Sequence, residues 1–184
     1  MAVPIARRRF TVEDYHRMAE AGILGEDDRV ELIAGEIVEM SPVGGRHVEA
    51  VSRFTRLLSR QVGDGMLVNV QSPIRLTNDG EPEPDLAVVR DRAYGGELPT
   101  AADVLLVIEV ADTSLAYDRN VKLPLYAAAG IPEAWLYDVG AAAIERHSEP
   151  RNGRYRLVAL AGRGESLTST VLPAVTLSVD DILG

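Results

Sequence analysis

Residues 104–111 read VLLVIEVA, apolar at every position except Glu109. A run apolar on both faces suits a central strand with layers packed above and below it. Working outward, strand-like segments precede it at about 66–76 and 85–90. A helix follows at roughly 119–129 and is closed by Gly130. Pro124 lacks a backbone donor, so this helix either starts near Asn120 or is kinked. Strands at 133–139 and 143–148 come next. Segments 154–160 and 167–179 add a β-rich tail, and a short turn runs from Asp180 to Leu183. Upstream, Thr11, with Asp14 three residues on, caps a short helix over 11–21 that Gly22 stops. Residues 29–39 alternate about the tight Ala34-Gly35 pair, as a hairpin does. The clearest helix is 46–62, ended by Gly63, with Val48, Val51, Phe54, Thr55, Leu58 and Val62 as its buried stripe. This order predicts an α/β fold, a mixed central sheet flanked by helices.

The chain has 184 residues, 46% hydrophobic and 26% charged, enough for one domain over 1–184 with a real core. Cysteine is absent, which excludes disulfides and thiolate metal sites. No apolar stretch is long enough to span a bilayer, so no membrane role is expected. The opening MAVPIARRRF lacks the apolar core of a secretory leader, and a cytoplasmic protein is expected. The net charge of −9 argues against a protein that coats nucleic acid by bulk attraction. A local grip on nucleic acid stays open, because a bound cation would offset part of a cluster of site acids.

Of the nineteen Lys and Arg residues, only Lys122 is lysine. A compact ammonium can be tuned by burial, which a broad, always-charged guanidinium cannot. Glu109 is an ionisable group among apolar neighbours, on one strand face with Leu105 and Val107. It is costly there unless it is paired or holds a metal. Asp85 opens a strand after Pro84, where a turn acid would also sit well. Two carboxylates suffice for Mg²⁺ (or Mn²⁺), which takes oxygen ligands and keeps several waters. Lys122 would then orient or help deprotonate the attacking water and stabilise phosphate charge. Asp112, Thr113 and Ser114 add polar groups where the strand ends. Glu31, on a strand of the first hairpin, is either solvated or a third acid. Tyr126 lies one turn beyond Lys122 on the same side and reads as a packing residue. Asp118 is either the cap of the helix that carries Lys122 or a site acid, and His47 reads as a structural histidine. The Arg53, Arg56 and Arg60 stripe is either a solvated face or a track for a phosphate backbone. Zinc spacings, P-loops, dinucleotide fingerprints and nucleophile elbows are absent from the sequence.

The segments GEIVEMSPVGGRH, EPEPDLAVV, LLVIEVADTS and DRNVKLPLYAAAGIPEAWLYD together resemble the Uma family of restriction-endonuclease-like proteins, within the PD-(D/E)XK nuclease superfamily. The likeness runs from about Phe10 to Leu183, and its most specific part is KLPLYAAAGIPEAW. It implies a restriction-endonuclease-like core with a β-rich C-terminal extension. It implies metal-binding acids at Asp85 and Glu109. The superfamily's lysine, normally two residues after the second acid, is replaced by Ala111, and Lys122 takes its part from the next helix. Glu31 matches the family's acid in the first hairpin. The implied activity is Mg²⁺-dependent hydrolysis of phosphodiester bonds in DNA, double-stranded above all. A homodimer is the expected form of a nuclease that cuts both strands. Two alternatives stay open: a catalytically inactive nucleic-acid-binding or assembly module with the same fold, and hydrolysis of RNA or a smaller substrate.

Overall fold

The computed structural model describes residues 7–25 and 27–184; residues 1–6, part of the N-terminal stretch considered above for a leader, and residue 26 lie outside the described residues. Helix α1 (Val12–Glu20) starts with a capping box in which Thr11 and Asp14 satisfy each other's backbone N–H groups. Strands β1 (Val30–Ile33) and β2 (Glu36–Glu39) form the expected hairpin. Its turn residues Ala34 and Gly35 have φ of 48° and 79°, which the two-residue turn requires. At Gly35 a Cβ would stand 2.6 Å from the Arg9 side chain, so the position also needs the missing side chain.

Six strands form the main sheet: β3 (Met66–Val70), β4 (Leu86–Arg90), β5 (Val104–Ala111), β6 (Glu133–Asp138), β7 (Ala143–Arg151) and β8 (Arg154–Ala161). They lie in that order across it. All neighbours are antiparallel except β5 and β6, which are parallel and joined by a helical crossover. The apolar run thus occupies the inside of the sheet, as its pattern requires. A separate pair, β9 (Ser166–Thr168) with β10 (Thr176–Ser178), and α5 (Val179–Leu183) complete the tail.

Helix α2 (Gly45–Gln61) covers one face with Val51, Phe54 and Leu58 against Leu106, Ile108, Val110 and Trp135. The other face packs Val107, Ala111 and Leu136 against Leu123 and Tyr126 of the crossover helix. Glu109 alternates with Val107 and Ala111, so it points toward the crossover helix. Leu105 does not share that face. The pairing of β4 with β5 shifts between Val88 and Val89 and leaves Leu105 as the extra residue of a bulge, packed on the α2 side.

Several boundaries differ from the sequence expectation. The strand over 66–76 stops at Val70, because Gln71 takes a φ of 43° and the chain leaves the ladder. In α2, Val48 is 53% exposed and not part of the buried stripe. The helix ends through Val62 in an extended conformation, so Gly63 is not the capping residue. The segment 167–179 is two short strands and a turn. The crossover helix begins before residue 119 and has three parts: α3 (Leu115–Tyr117), a π-helical turn (Asp118–Lys122) and α4 (Leu123–Ala128). The π turn accommodates Pro124. Leu123 N–H reaches back five residues to the Asp118 carbonyl, so the missing donor of Pro124 falls where the ladder is already shifted.

Candidate active site

A pocket of about 500 Å³ opens at the C-terminal end of β5, between the hairpin, the start of α2 and the crossover helix. Its walls include Glu31, His47, Asp85, Glu109, Asp118 and Lys122. Every acid and the lysine singled out from the sequence therefore reach one cavity. The strand register explains part of this. Leu86 pairs with Ile108, so residue 85 stands opposite residue 109. Asp85 Oδ2 then accepts the Val110 N–H at 2.8 Å, which fixes its carboxylate against the end of β5.

Lys122 reaches the same point from the π turn. Its Nζ lies 3.1 Å from Glu31 Oε2 and 3.4 Å from Glu109 Oε1, and it donates to the Glu83 carbonyl at 3.4 Å. The π turn matters here, because one extra residue per turn rotates the following side chains relative to a regular helix. Glu31 is held in turn by the Glu83 N–H at 3.1 Å. The hairpin thus supplies a carboxylate that pins the ammonium.

Lys122, Glu31, Glu109 and Asp118 are each 5% exposed or less. Burial pushes the Glu109 carboxyl up, against the pull of Lys122. Asp118 and Glu83 move the same way, again mainly from burial. Burial would lower the Lys122 ammonium, but Glu109, Glu31 and Asp118 outweigh it and hold it above its ordinary value. Both partners of the Lys122–Glu109 contact thus favour their protonated forms. The physical reading is a cluster with more acids than bases, whose lysine stays charged while a carboxyl keeps a proton.

Three residues for which the sequence offers a bland reading belong to this site. Asp118 is no helix cap: it is buried inside the π turn, where its carboxylate accepts from Ser114 Oγ. Its position four residues before Lys122 was the available signal. Tyr126 does pack in the core, and its hydroxyl also donates to Glu109 Oε1 in a very short hydrogen bond. His47 stands in the first turn of α2 with Nε2 2.8 Å from Asp85 Oδ1. That contact raises its basicity against the effect of burial. No sequence spacing links residues 47 and 85. The Tyr117 hydroxyl is buried with no hydrogen-bond partner among the described residues. At the rim, Arg46 pairs with Asp112 at 2.6 Å. The Arg53, Arg56 and Arg60 stripe does not reach the pocket, and Arg53 pairs with Glu49 on the helix surface.

Among the described residues, no three His, Asp or Glu side chains are arranged to hold one metal ion between them. No described helix is long and apolar enough to cross a membrane.

No curated protein matches the chain. Among solved structures, the crystal structure of a "putative nuclease belonging to DUF820" from Anabaena variabilis superimposes with a TM-score of 0.73 at 16% identity, covering 94% of this chain and 97% of that one. At that identity the likeness is one of fold, and it is a nuclease-like fold. Residues 12–180 match the Uma2 family, described as "putative restriction endonuclease". With nearly its whole length matched, the chain belongs to the Uma2 family of restriction-endonuclease-like nucleases.

Proposed function

We propose that the protein is a divalent-cation-dependent endonuclease that hydrolyses phosphodiester bonds in DNA. The observation that carries this reading is the meeting of Lys122 with Glu31 and Glu109 in the pocket that Asp85 also lines. The donor set fits a hard cation. Carboxylate oxygens of Asp85 and Glu109 border the cavity, and the buried acids outnumber the lysine, a charge imbalance that an ion would relieve. Asp85 and Glu109 would hold Mg²⁺ or Mn²⁺, with the remaining ligands from water and substrate. The chemistry such an ion supplies when bound is polarisation of the phosphoryl oxygen and a more acidic water.

The protein's own residues supply the rest. Lys122 stays protonated, so it serves as a donor that orients the attacking water and stabilises charge on the phosphate, not as the base that takes the proton. Glu31 fixes the ammonium, and the Val110 N–H fixes Asp85. Tyr126 holds one Glu109 oxygen and so limits which way that carboxylate turns.

The test is a cleavage assay with double-stranded DNA, single-stranded DNA and RNA, each with Mg²⁺ or Mn²⁺. We expect metal-dependent cutting of DNA that falls about 10²–10⁴-fold in Lys122→Ala and in Asp85→Ala, with circular dichroism unchanged. Cutting that persists in either folded variant overturns the assignment of roles. The net charge of −9 favours a second reading, an inactive binding or assembly module. That reading predicts no cleavage with any divalent metal and an Asp85→Ala variant that still binds its partner.

A further inference from the structure

Asp85 has one oxygen held by the backbone and one that faces His47. Oδ2 takes the Val110 N–H at 2.8 Å. Oδ1 has His47 Nε2 at 2.8 Å. That nitrogen is fully buried and has no aligned hydrogen-bond partner among the described residues. A structural His–Asp pair places the ring N–H along the line to the oxygen. Here the two atoms are close, yet the contact does not meet the geometry of a hydrogen bond. A buried polar atom without a partner calls for a physical cause, and a missing ion is one such cause.

The spacing suggests what that ion contacts. In an octahedral site with bonds of about 2.0–2.1 Å, neighbouring donor atoms stand about 2.9 Å apart. His47 Nε2 and Asp85 Oδ1 are spaced like two adjacent ligands of one cation. The local backbone allows the approach. Gly44, the residue before α2, has no side chain, and a Cβ there would stand 3.3 Å from Asp112 Oδ2, so the first turn of α2 lies directly over the end of β5. His47 and Asp85 both face the pocket that holds Glu109 and Lys122.

We infer that His47 is a metal ligand, binding through Nε2 beside Asp85 Oδ1, and that it tunes the site toward Mn²⁺ and similar first-row ions over Mg²⁺. This rests on the divalent-cation reading above. An imidazole nitrogen favours softer ions, whereas Mg²⁺ prefers oxygen alone. Two side chains are enough to begin such a site, because water and substrate oxygens complete it. With Glu109 these make three protein ligands, and since no three described side chains already converge on one point, the ion draws them together on binding.

The test uses the full chain and Mn²⁺ alone as the probe, with affinity from calorimetry and coordination from pulsed electron paramagnetic resonance on protein labelled with ¹⁵N-histidine. His16 and His147 pair with Glu81 and Glu145 away from the pocket, so a ¹⁵N coupling on bound Mn²⁺ reports His47. We expect that coupling in the wild type. His47→Ala should weaken Mn²⁺ binding about tenfold or more, with a smaller loss for Mg²⁺, and erase the coupling. His47→Asn, smaller and still polar, serves if the alanine variant does not fold. Mn²⁺ bound without ¹⁵N coupling, or with unchanged affinity in either variant, overturns the inference and leaves the cation site standing. No Mn²⁺ binding by the wild type overturns both.

Discussion

The two ends of β5 carry ion pairs of similar parts and opposite character. At the start, Arg92 Nε and Nη2 donate to the two oxygens of Asp103 at 2.7 and 2.8 Å. Asp103 also accepts the Thr100 N–H and hydroxyl at 2.9 and 2.8 Å, closing a capping box. The guanidinium beside it, with those Thr100 bonds, holds the Asp103 carboxyl well below the usual carboxylate range. At the far end, Glu31 and Glu109 contact one ammonium with Asp118 buried in the same pocket, and burial pushes the Glu109 and Asp118 carboxyls up. One fork meets one carboxylate at the first end, and every charge is answered. At the second, acids outnumber bases in a buried space. A protein built for stability alone would replace such a cluster with apolar side chains. Perturbation by burial, in a cleft, with unmatched charge, is the mark of a working site; a carboxyl stabilised by its partner is the mark of a structural one.

The largest expected effect tests whether the lysine end is specific in shape as well as charge. Lys122→Arg keeps the charge but brings a broad fork into a space where the ammonium has neighbours at 3.1 and 3.4 Å. Cleavage should fall about 10²-fold or more, measured under the metal conditions that support the wild type. Activity near wild type would mean that charge alone suffices.

Neutralising an acid should have opposite consequences at the two ends. Asp103→Asn breaks a matched pair and should lower the melting temperature by roughly 2–4 °C. Glu109→Gln replaces a carboxyl whose ionisation burial opposes, in a cluster with more acids than bases, and should raise it by roughly 2–4 °C while abolishing cleavage. Thermal unfolding of both variants without added metal checks this. Melting shifts of the same sign would erase the distinction drawn here.

The smallest effect is the pH dependence of those shifts. Glu109 binds its proton more tightly in the folded chain than in the unfolded one, where the ordinary value is 4.5. Its stabilising term is present below that pH and is lost as pH rises through the folded value. The advantage of Glu109→Gln should be absent below about pH 4.5 and grow toward neutrality. Asp103 binds its proton less tightly when folded, from an ordinary value of 3.8. The cost of Asp103→Asn should therefore be full at neutral pH and fade as pH falls below that value. Melting temperatures from pH 2 to pH 8 follow both slopes, the Asp103 effect below pH 3.8 and the Glu109 effect above pH 4.5, and two parallel curves would contradict the pair.

Much of this was legible in the residues. VLLVIEVA announced an interior strand because both of its faces are apolar. Glu109 was conspicuous within it, because a carboxylate there needs a reason. Lys122 stood out by being the sole lysine. Asp118 stayed between cap and site acid because an acid near a helix start usually caps it, and nothing local announces a π turn. The place of His47 in the pocket was not legible, because residues 47 and 85 meet only when α2 crosses the end of β5. Val48 was misread because helical periodicity gives the direction of a face but not how far along the helix that face is covered.

By itself the chain determined its elements, its layers and which residues were chemically out of place, because strand alternation, helix periodicity and the cost of burying charge act on neighbours in sequence. Only the tertiary structure decided that Lys122 sits between Glu31 and Glu109, that Asp118 joins them and that His47 touches Asp85. Those distances depend on a register, a bulge at Leu105 and an extra residue in one helical turn. Each is fixed by packing between distant segments, and no single segment carries it alone.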